Sequence, residues 1–552
     1  MGDKKMQESR RKFLKTVALS SFAMMTTNQF AFSGNKDAKG FQERPKQKQP
    51  NIVFFLVDDL GWTDVGCYGS RFYKTPNIDA LAEVGVKFTD AYAACSVCSP
   101  TRASILTGKY PATLNLTDWL PGRDEFPFQK FSNPTINQHL PYEEVTIAEA
   151  LKKVGYKTAI IGKWHLGEDP SNPMAHGFDM HVPDWAKGWP KNGYFAPFGM
   201  KGLEDSKEGE YLTDRLTDEA LKYIESNKDN PFFLYMSHYA VHDPIQGRKD
   251  LVKKYSKKLN SMDKNNDPEY VLEGNPDNPN NPSTKELEKL INTPEYEPIK
   301  VLPNEIVKVK QKQDNVEFAG MVESMDESLG RLVQKLKDLG LDDNTIIVFF
   351  SDNGGMGAAN FWDPRRIIPK DKQDVAFSTS NLPLRGAKGW LYEGGIREPL
   401  IIKWPGKGKQ GIECSVPVIS IDFFPSILSM VGSPDSIGKD KEGVDISPLV
   451  QGEPMDRGSI YWHFPHYSNH GMQSPGGAIR DGDYKLLEYF ENDTVQLFNL
   501  KDDIGEQNDL SKIEIEKTKE LKEKLHQWRK DVGAKMLGPN PDYDPTVKAD
   551  EL

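Results

Sequence analysis

The sequence has few cysteines, no long apolar run and no excess of positive charge. Only Cys67, Cys95, Cys98 and Cys414 occur among 552 residues; they are too few for a disulfide scaffold and lack the paired spacing of a structural zinc site. No segment reaches the roughly 20 consecutive apolar residues of a membrane-spanning helix. The 81 acidic residues outnumber the 70 basic ones, and the net charge of −11 opposes binding to nucleic acid or other polyanions. An anionic substrate would therefore need a local basic pocket.

The remaining composition is typical of a large globular protein. Hydrophobic residues make up 37 %, aromatic residues 10 % and charged residues 27 % of the chain, which excludes a disordered, collagen-like or integral membrane class. At roughly 150 residues per domain, the length corresponds to three or four domain-sized units or to fewer large ones.

The first 34 residues are predicted to be an export signal. The basic run SRRKFLK at positions 9–15 precedes a short apolar run at positions 16–25, an order that resembles a twin-arginine signal. A chance basic patch in a disordered amino terminus is the alternative. We expect transport by the twin-arginine export machinery, a soluble periplasmic or secreted protein without a stable membrane anchor, and a polar linker at positions 35–50.

From position 51 onwards, apolar runs alternate with amphipathic stretches. Strands are predicted at 51–57, 158–161, 231–236, 345–350 and 400–404, and helices at 147–154 and 318–339. The alternation favours an α/β domain with a mostly parallel central sheet between helices, which we expect to span residues 51–452. Residues 261–303 are rich in Asn, Pro, Lys and Glu and are predicted to form a surface insertion. Polar residues recur where the strands end, which is where open α/β sheets bind ligands.

The pattern changes after about position 452. Short apolar runs at 460–463, 484–489 and 495–498 are separated by turn signals, and a long charged helix is predicted at 514–532. We expect residues 453–552 to form a small α+β subdomain with an antiparallel sheet and a terminal helix.

The run SVCSPTRASILTG at positions 96–108 is the sharpest chemical signal. Pro100 suits the first turn of a helix, so Cys98 is expected just outside a helix amino terminus, where free N–H groups and the helix dipole attract anions. Arg102, one turn further on, adds a planar donor for an oxygen of a sulfate or phosphate group. Cys98 is otherwise interpreted as a buried small residue or as a redox partner of Cys95, but a redox pair explains less of the run.

The segment from Cys98 to Gly108 resembles the signature of the type I, formylglycine-dependent sulfatases, an arylsulfatase-like family of the alkaline phosphatase superfamily. That signature begins with Cys or Ser, any residue, Pro, then Ser, Thr or Ala, and ends in an apolar pair and Thr-Gly. The segment GYKTAIIGKWH at positions 155–165 matches a second stretch of the family, and the similarity extends in pieces from about position 51 to 404. The resemblance implies an alkaline-phosphatase-like large domain and a sulfuric ester hydrolase.

The resemblance also implies a modified nucleophile. A formylglycine-generating (sulfatase-maturating) enzyme would oxidise Cys98 to Cα-formylglycine, whose hydrated aldehyde attacks sulfur. A thiol would be trapped as a stable ester, whereas the second hydroxyl of the gem-diol can expel sulfate and regenerate the aldehyde, which gives covalent catalysis in two steps. An inactive homologue with unmodified Cys98 is the alternative.

Two pairs of residues with side-chain oxygen donors are candidate metal ligands. Asp58 and Asp59 follow the first predicted strand, and Asp352 and Asn353 follow a later one; each pair alone is also typical of helix caps and turns. Hard oxygen donors suit calcium or magnesium better than zinc. The resemblance implies one divalent cation, Ca²⁺, held by these four residues and the modified Cys98. An Asn at position 353 favours one cation and sulfate over the two zinc ions of related phosphatases.

The basic residues of the site are assigned through the same resemblance. Arg102, Lys163 and Lys388 would neutralise the sulfate oxygens and the charge that develops during transfer. His165 would hydrogen-bond the formylglycine diol and act as a base, and His242, with Lys388, would protonate the leaving sugar oxygen. The family's Ala-Pro-His run before the second histidine reads Ala-Val-His here.

The sulfated substrate is not determined by these residues. An aromatic stretch would suit stacking on sugar rings, although ordinary loop packing explains it equally well; it contains Trp185, Trp189, Tyr194, Phe195 and Phe198. Export and the resemblance favour a sulfated polysaccharide or its oligosaccharides, such as algal galactans or ulvan, or host glycosaminoglycans. The alternatives are a phosphomonoester or phosphonate hydrolase on the same scaffold and a non-catalytic protein that binds sulfated glycans.

Overall fold

The structure is a computed structural model that describes residues 49–263 and 267–552. The predicted export signal at 1–34 lies outside the described residues, as do residues 35–48 of the predicted linker and residues 264–266 of the predicted insertion. The export and linker assignments therefore stay predictions.

Strands are distributed along the whole described chain. In chain order they are β1 Asn51–Val57, β2 Val86–Tyr92, β3 Phe131–Ser132, β4 Lys157–Gly162, β5 Met180–Val182, β6 Phe232–Ser237, β7 Tyr270–Glu273, β8 Val307–Lys310, β9 Thr345–Ser351, β10 Arg397–Lys403, β11 Ile412–Cys414, β12 Val418–Ile419, β13 Ile460–Phe464, β14 Gly476–Asp481, β15 Tyr484–Tyr489, β16 Val495–Asn499 and β17 Gly538–Pro539.

The helices alternate with the strands of the first four hundred residues. They are α1 Pro76–Val84, α2 Cys98–Thr107, α3 Ile147–Lys153, α4 Leu212–Ser226, α5 Lys249–Ser261, α6 Thr284–Leu290, α7 Val316–Asp338, α8 Gln373–Ala376, α9 Glu393–Ile396, α10 Phe423–Met430, α11 Ser447–Val450 and α12 Ile515–Asp531. Within the described ranges, no helix combines the length and the apolar character needed to cross a membrane. All strands and helices predicted above are present, and their ends differ from the prediction by at most three residues.

A nine-stranded mixed sheet forms the centre of the fold. Its strand order is β11-β2-β10-β9-β1-β6-β4-β5, and β12 also pairs with β2. Only the pairs that β10 makes with β2 and β9 are antiparallel; the others are parallel. The predicted class, an α/β fold with a mostly parallel sheet, is confirmed.

Both faces of this sheet are covered by helices. Along β1, Val53, Phe55 and Val57 pack with α4 and α7 on one face. The alternate residues Ile52, Phe54 and Leu56 pack with α2, α3 and α10 on the other. Because successive side chains of a strand point to opposite faces, a continuous apolar run requires cover on both sides. The unbroken run at the start of the domain is the physical reason for this layered arrangement.

The carboxyl-terminal part forms a separate antiparallel sheet, as predicted. Strands β13, β14, β15 and β16 pair in sequence order. Helix α12 packs on this sheet through Leu521, Leu525 and Trp528. The boundary proposed near position 452 stays a prediction.

The predicted insertion has some secondary structure of its own. Strand β7 pairs with β8 in an antiparallel hairpin, and α6 begins at a capping box in which Ser283 and Glu286 exchange hydrogen bonds. A small apolar cluster holds these elements together; its residues are Leu272, Leu287, Tyr296, Leu302 and Ile306. Its few apolar residues are widely spaced, which is why no periodicity is evident in the sequence.

Candidate active site

Neighbouring strand ends bring the two predicted ligand pairs together. Strands β1 and β9 are parallel neighbours in which Val57 pairs with Ser351, so the residues that follow each strand emerge at the same edge of the sheet. The backbone N–H of Asp352 donates to the carbonyl of Val57 at 3.1 Å, and that of Asp59 approaches Asp352 Oδ1 at 3.3 Å. Asp59 has a φ of 60°, a conformation that is uncommon outside glycine and often found at functional sites.

Strands β4 and β6 supply the basic residues of the same edge. Gly162 ends β4 with a φ of 112°, and a Cβ there would lie 1.7 Å from the carbonyl oxygen of Ser237, so only glycine allows this close approach. The N–H of Lys163 donates to the same carbonyl at 2.7 Å. His165 follows with a φ of 56°. The turn after β4 therefore directs both Lys163 and His165 into the site.

Helix α2 begins at Cys98 itself, whereas the sequence suggested that Cys98 precedes the helix. Pro100 is the third residue of the helix and so lies in its first turn, as predicted. The first turn has no intrahelical acceptors for its N–H groups, so the missing N–H of proline costs nothing at that position. Cys98 thus lies within the first turn, at the positive end of the helix dipole.

Each of three buried carboxylates faces a buried cation. Lys163 Nζ lies 2.6 Å from Asp58, Lys388 Nζ lies 2.7 Å from Asp59, and the Arg102 guanidinium lies 2.7 Å from Asp352. Arg102 also donates to Ser237 Oγ at 2.7 Å. Buried charges are costly unless they are paired, so these pairings explain how six charged groups occupy one site.

The pKa values of the acidic groups differ because their surroundings differ. Burial and the neighbouring Asp352 raise the pKa of Asp58 to about 8, although Lys163 and His242 oppose this. Burial also raises the pKa of Asp59, but Lys388 and His242 outweigh it and hold that pKa below its ordinary value. Burial and Asp352 therefore raise the pKa of one carboxyl, whereas pairing with Lys388 lowers the pKa of its neighbour.

The donor set fits a hard divalent cation. Asp58 Oδ1 and Asn353 Oδ1 are buried and have no hydrogen-bond partner among the described residues, although buried polar atoms are normally paired. Asn353 is held by its amide nitrogen, which donates to Asp59 Oδ1 at 2.7 Å. One atom each of Asp58, Asp59 and His242 lies within 4.8 Å of the others. Oxygen-rich, carboxylate-lined sites of this type suit Ca²⁺ or Mg²⁺.

The Cys98 side chain contacts the ring of His165. Cys98 Sγ lies 3.2 Å from His165 Nδ1, and His165 Nε2 lies 2.8 Å from the carbonyl oxygen of Leu120. A carbonyl can only accept, so the ring hydrogen is assigned to Nε2 and Nδ1 is left as an acceptor toward position 98. Burial and Lys163 lower the pKa of His165 well below its ordinary value, which keeps the ring neutral.

His242 has the opposite electrostatic setting. Its Nδ1 lies 2.6 Å from Asp243 Oδ1, and its Nε2 lies 3.7 Å from Asp59 Oδ2. Burial and Lys388 lower the pKa of His242, but Asp59 and Asp243 outweigh them and raise it to about 9. The two histidines therefore differ in protonation near neutral pH, one as an acceptor and one as a donor.

A cavity of about 380 Å³, here called the inner cavity, opens at this site. Among the predicted residues, Cys98, His165, His242 and Lys388 line it, and the remaining predicted site residues lie outside its lining. The rest of the lining is Val97, Trp119, Trp189, Asp243, Pro244, Asn360, Trp362, Val375, Asn469 and His470. The inner cavity thus combines a basic end with walls rich in tryptophan.

Most of these wall residues were missed by sequence reasoning. Trp189 belongs to the aromatic stretch singled out above, whereas Tyr194 and Phe198 of that stretch are buried in the core. Trp119, Trp362 and His470 are single residues in separate loops, and no spacing in the sequence relates them. Their only sequence signal is an aromatic or imidazole side chain in an otherwise polar loop.

The fold and these paired charges define an ester hydrolase of the alkaline phosphatase superfamily. A family model described as Sulfatase matches residues 50–433. A second model, described as N-sulphoglucosamine sulphohydrolase, C-terminal, matches residues 387–531. The chain belongs to the sulfatase family, and the family prediction is confirmed.

The similarity to known sulfatases extends over most of the chain. A sulfatase from Formosa agariphila is 28 % identical, and the match covers 95 % of this chain and 94 % of that protein. An ulvan-active sulfatase from the same organism is 28 % identical and is matched over 94 % of this chain and 88 % of its own length. The crystal structure of Ps i-CgsB in complex with k-i-k-neocarrahexaose has a TM-score of 0.64 and 27 % identity and covers 88 % of this chain and 94 % of that one.

Proposed function

We propose that the protein hydrolyses sulfate esters of a sulfated polysaccharide, such as ulvan or an algal galactan, or of its oligosaccharides. The observation that carries this proposal is the inner cavity, in which Cys98 lies with His165, His242 and Lys388 between the carboxylate cluster and walls of tryptophan. A compact basic end suits a sulfate group, and tryptophan faces suit sugar rings. The ulvan-active relative and the carbohydrate-bound neighbour support this class of substrate.

Position 98 is proposed to carry the nucleophile. When present, formylglycine at this position supplies a hydrated aldehyde with one hydroxyl to take up the sulfuryl group and one to expel sulfate. His165 accepts a proton from the group at position 98, because Leu120 holds the ring hydrogen at Nε2 and leaves Nδ1 free at 3.2 Å.

The cation and Lys388 are proposed to hold the sulfate, whereas Arg102 and Lys163, which the resemblance implied as further sulfate partners, are proposed to position carboxylates. Asp58, Asp59, Asp352 and Asn353, with the modified residue 98, would bind Ca²⁺, which supplies positive charge against the sulfate oxygens when it is bound. Lys388 lines the inner cavity and can contact the sulfate directly. Arg102 and Lys163 lie behind the lining, where they position Asp352 and Asp58.

His242 is proposed to protonate the leaving oxygen, so the loss of activity when it is replaced should depend on the leaving group. His242→Ala should lower kcat/KM for a sugar sulfate by about 100-fold or more, the usual contribution of a general acid. The loss on an activated aryl sulfate should be much smaller, because a nitrophenolate needs no proton to depart. Steady-state sulfate release from both substrates measures the difference, and equal losses would argue against the acid role.

Export is proposed to follow maturation. The twin-arginine route carries folded proteins, and Cys98 is buried in the fold. Conversion of Cys98 would therefore take place in the cytoplasm, before or during folding.

The test of the proposed function is sulfate release from a panel of defined sulfated oligosaccharides. The protein would be coexpressed with a formylglycine-generating enzyme, and mass spectrometry of the peptide from Phe88 to Arg102 would establish how much of Cys98 is converted. Release from a sulfated oligosaccharide by converted protein is the expected result. Release of phosphate from a phosphate monoester, or of the alcohol from a phosphonate monoester, without release of sulfate would identify the first alternative. Glycan binding by converted protein without turnover would identify the second.

A further inference from the structure

A second cavity adjoins the inner cavity. It has a volume of about 220 Å³ and shares Trp119, Trp362 and Asn469 with the inner cavity; we call it the outer cavity. Neither volume accommodates more than a short stretch of a polysaccharide, whereas the two together form one continuous lined surface. A chain whose sulfated unit occupies the inner cavity would meet the outer cavity next.

Six of the sixteen residues that line the outer cavity are aromatic. They are Trp119, Phe126, Phe128, Phe361, Trp362 and Tyr467. Trp362 is 58 % exposed, although exposing a large aromatic side chain to water is unfavourable and commonly marks a binding surface. An exposed indole at the junction of two cavities provides a flat apolar face of the kind on which sugar rings stack.

The charged groups of the outer cavity are mainly acidic. Asp124 and Glu305 line it, against one basic lining residue, Arg123. Arg123 Nε lies 3.0 Å from Asp118 Oδ2, and the buried Nη1 and Nη2 of Arg123 have no hydrogen-bond partner among the described residues. The lining of the inner cavity by contrast has two basic residues, Lys388 and His242, against one acidic residue, Asp243. The balance of lining charges therefore favours a sulfate group in the inner cavity over the outer one. In the outer cavity the carboxylates can accept hydrogen bonds from sugar hydroxyls, and the Nη groups of Arg123 can donate to them.

We propose that the outer cavity binds the sugar unit next to the sulfated one, that this unit stacks on Trp362, and that it carries no anionic substituent. This inference rests on the proposed function and adds the size and charge of the substrate to it. It makes Trp362 and Asp124 determinants of specificity, and it predicts a preference for an oligosaccharide over a single sulfated sugar.

The test compares three substrates with the same scissile ester: the sulfated monosaccharide, a disaccharide with a neutral neighbouring unit, and a disaccharide with a sulfated neighbouring unit. The wild-type enzyme should prefer the neutral disaccharide. Trp362→Ala should raise KM for that disaccharide by about 10-fold, as expected for the loss of one well-packed aromatic contact, and should affect the monosaccharide less. Equal losses on the two substrates would overturn the stacking role, and a wild-type preference for the sulfated neighbour would overturn the charge assignment.

A charge reversal tests the same inference by a gain of activity. Asp124 lines only the outer cavity and is exposed, so Asp124→Lys is not expected to disturb folding. It should raise kcat/KM for the sulfated-neighbour disaccharide relative to the neutral one by several-fold. An unchanged ratio would count against the proposal.

Tyr543→Ala, at an exposed tyrosine outside both cavities, controls for general effects of removing an aromatic side chain.

Failure of this inference can be told from failure of the proposed function. If converted wild-type protein releases no sulfate from any sulfated saccharide, the proposed function fails and the inference fails with it. If sulfate is released equally well from the monosaccharide and the disaccharides, and Trp362→Ala changes all rates alike, only the inference about the outer cavity is overturned.

Discussion

Cys98→Ala is expected to abolish sulfate release, with a fall in kcat/KM of at least about 10⁴-fold, the scale of losses seen when a catalytic nucleophile is removed. The alanine methyl group can neither be oxidised to an aldehyde nor transfer a proton to His165 Nδ1, which lies 3.2 Å from the present sulfur atom. Sulfate released from a defined oligosaccharide, measured by ion chromatography, gives the result directly.

Cys95→Ala is the matched control for this variant. Cys95 lies three residues earlier, is equally buried and does not line the inner cavity. Its thiol contacts the carbonyl oxygen of Thr117 at 3.9 Å. Activity should therefore survive in Cys95→Ala once expression and folding are matched. Substantial sulfate release by Cys98→Ala would contradict the proposed nucleophile and would require another residue of the inner cavity in that role.

Lys485→Met is expected to cause the largest loss of stability. Lys485 Nζ lies 2.8 Å from Glu393 Oε1 and 2.9 Å from Glu506 Oε1, and all three side chains are 0 % exposed. Removing the ammonium group leaves two buried carboxylates without their shared partner. Breaking a buried ion pair in this way typically costs about 3–5 kcal/mol, measurable as a fall in the free energy of unfolding in urea.

The loss should depend on pH in a defined direction. Burial raises the pKa of Glu393, but Lys485, Arg397 and Arg480 outweigh it and lower that pKa to about 2. Burial raises the pKa of Glu506 to about 7, although Lys485 opposes this. Without Lys485 the pKa of Glu393 rises from its lowered value, and that of Glu506 rises further. A protein becomes less stable as pH rises from the unfolded-state pKa to the folded-state pKa of a carboxyl whose pKa is raised by folding. Lys485→Met should therefore lose less stability relative to the wild type at about pH 5 than at about pH 8.

A surface lysine provides the control for both measurements. Lys517 pairs with Glu520 on the exposed side of helix α12, and surface pairs of this kind contribute little to stability. Lys517→Met should leave the unfolding transition almost unchanged at either pH. A similarly small effect of Lys485→Met would show that Glu393 and Glu506 find other partners or become protonated at little cost.

The central sheet and the clustering of the candidate site residues at its edge could be predicted because both have local signals. The continuous apolar run of β1 predicts a strand buried on two faces, and Asp58 and Asp59 follow it directly. The carboxyl ends of parallel strands meet at one edge, so residues far apart in the chain, such as Asp59 and Asp352, are expected to be neighbours. The motif around Cys98 supplied the reaction class through its resemblance to a family.

The walls of the substrate site could not be predicted, because no local pattern relates their residues. Trp119, Trp362 and His470 come from three loops that are far apart in the sequence and meet only in the folded protein. Loops have no periodicity that reports their direction. The observed start of helix α2 differs from the predicted one because proline is tolerated at any of the first helical positions, where N–H groups have no helical partner. Pro100 therefore does not determine at which residue the helix begins.

The contribution of the carboxyl-terminal part to the inner cavity has a consequence for the exchange of segments between related enzymes. Asn469 and His470 lie beyond position 452, yet they line the inner cavity, and Lys485 supplies the buried partner of Glu393 in α9. A chain truncated near position 452 would lose one wall of the cavity together with that ion pair. Exchange of residues 453–552 between related enzymes would therefore transfer one wall of the inner cavity along with the sheet, and the recipient would need a buried acidic partner for Lys485.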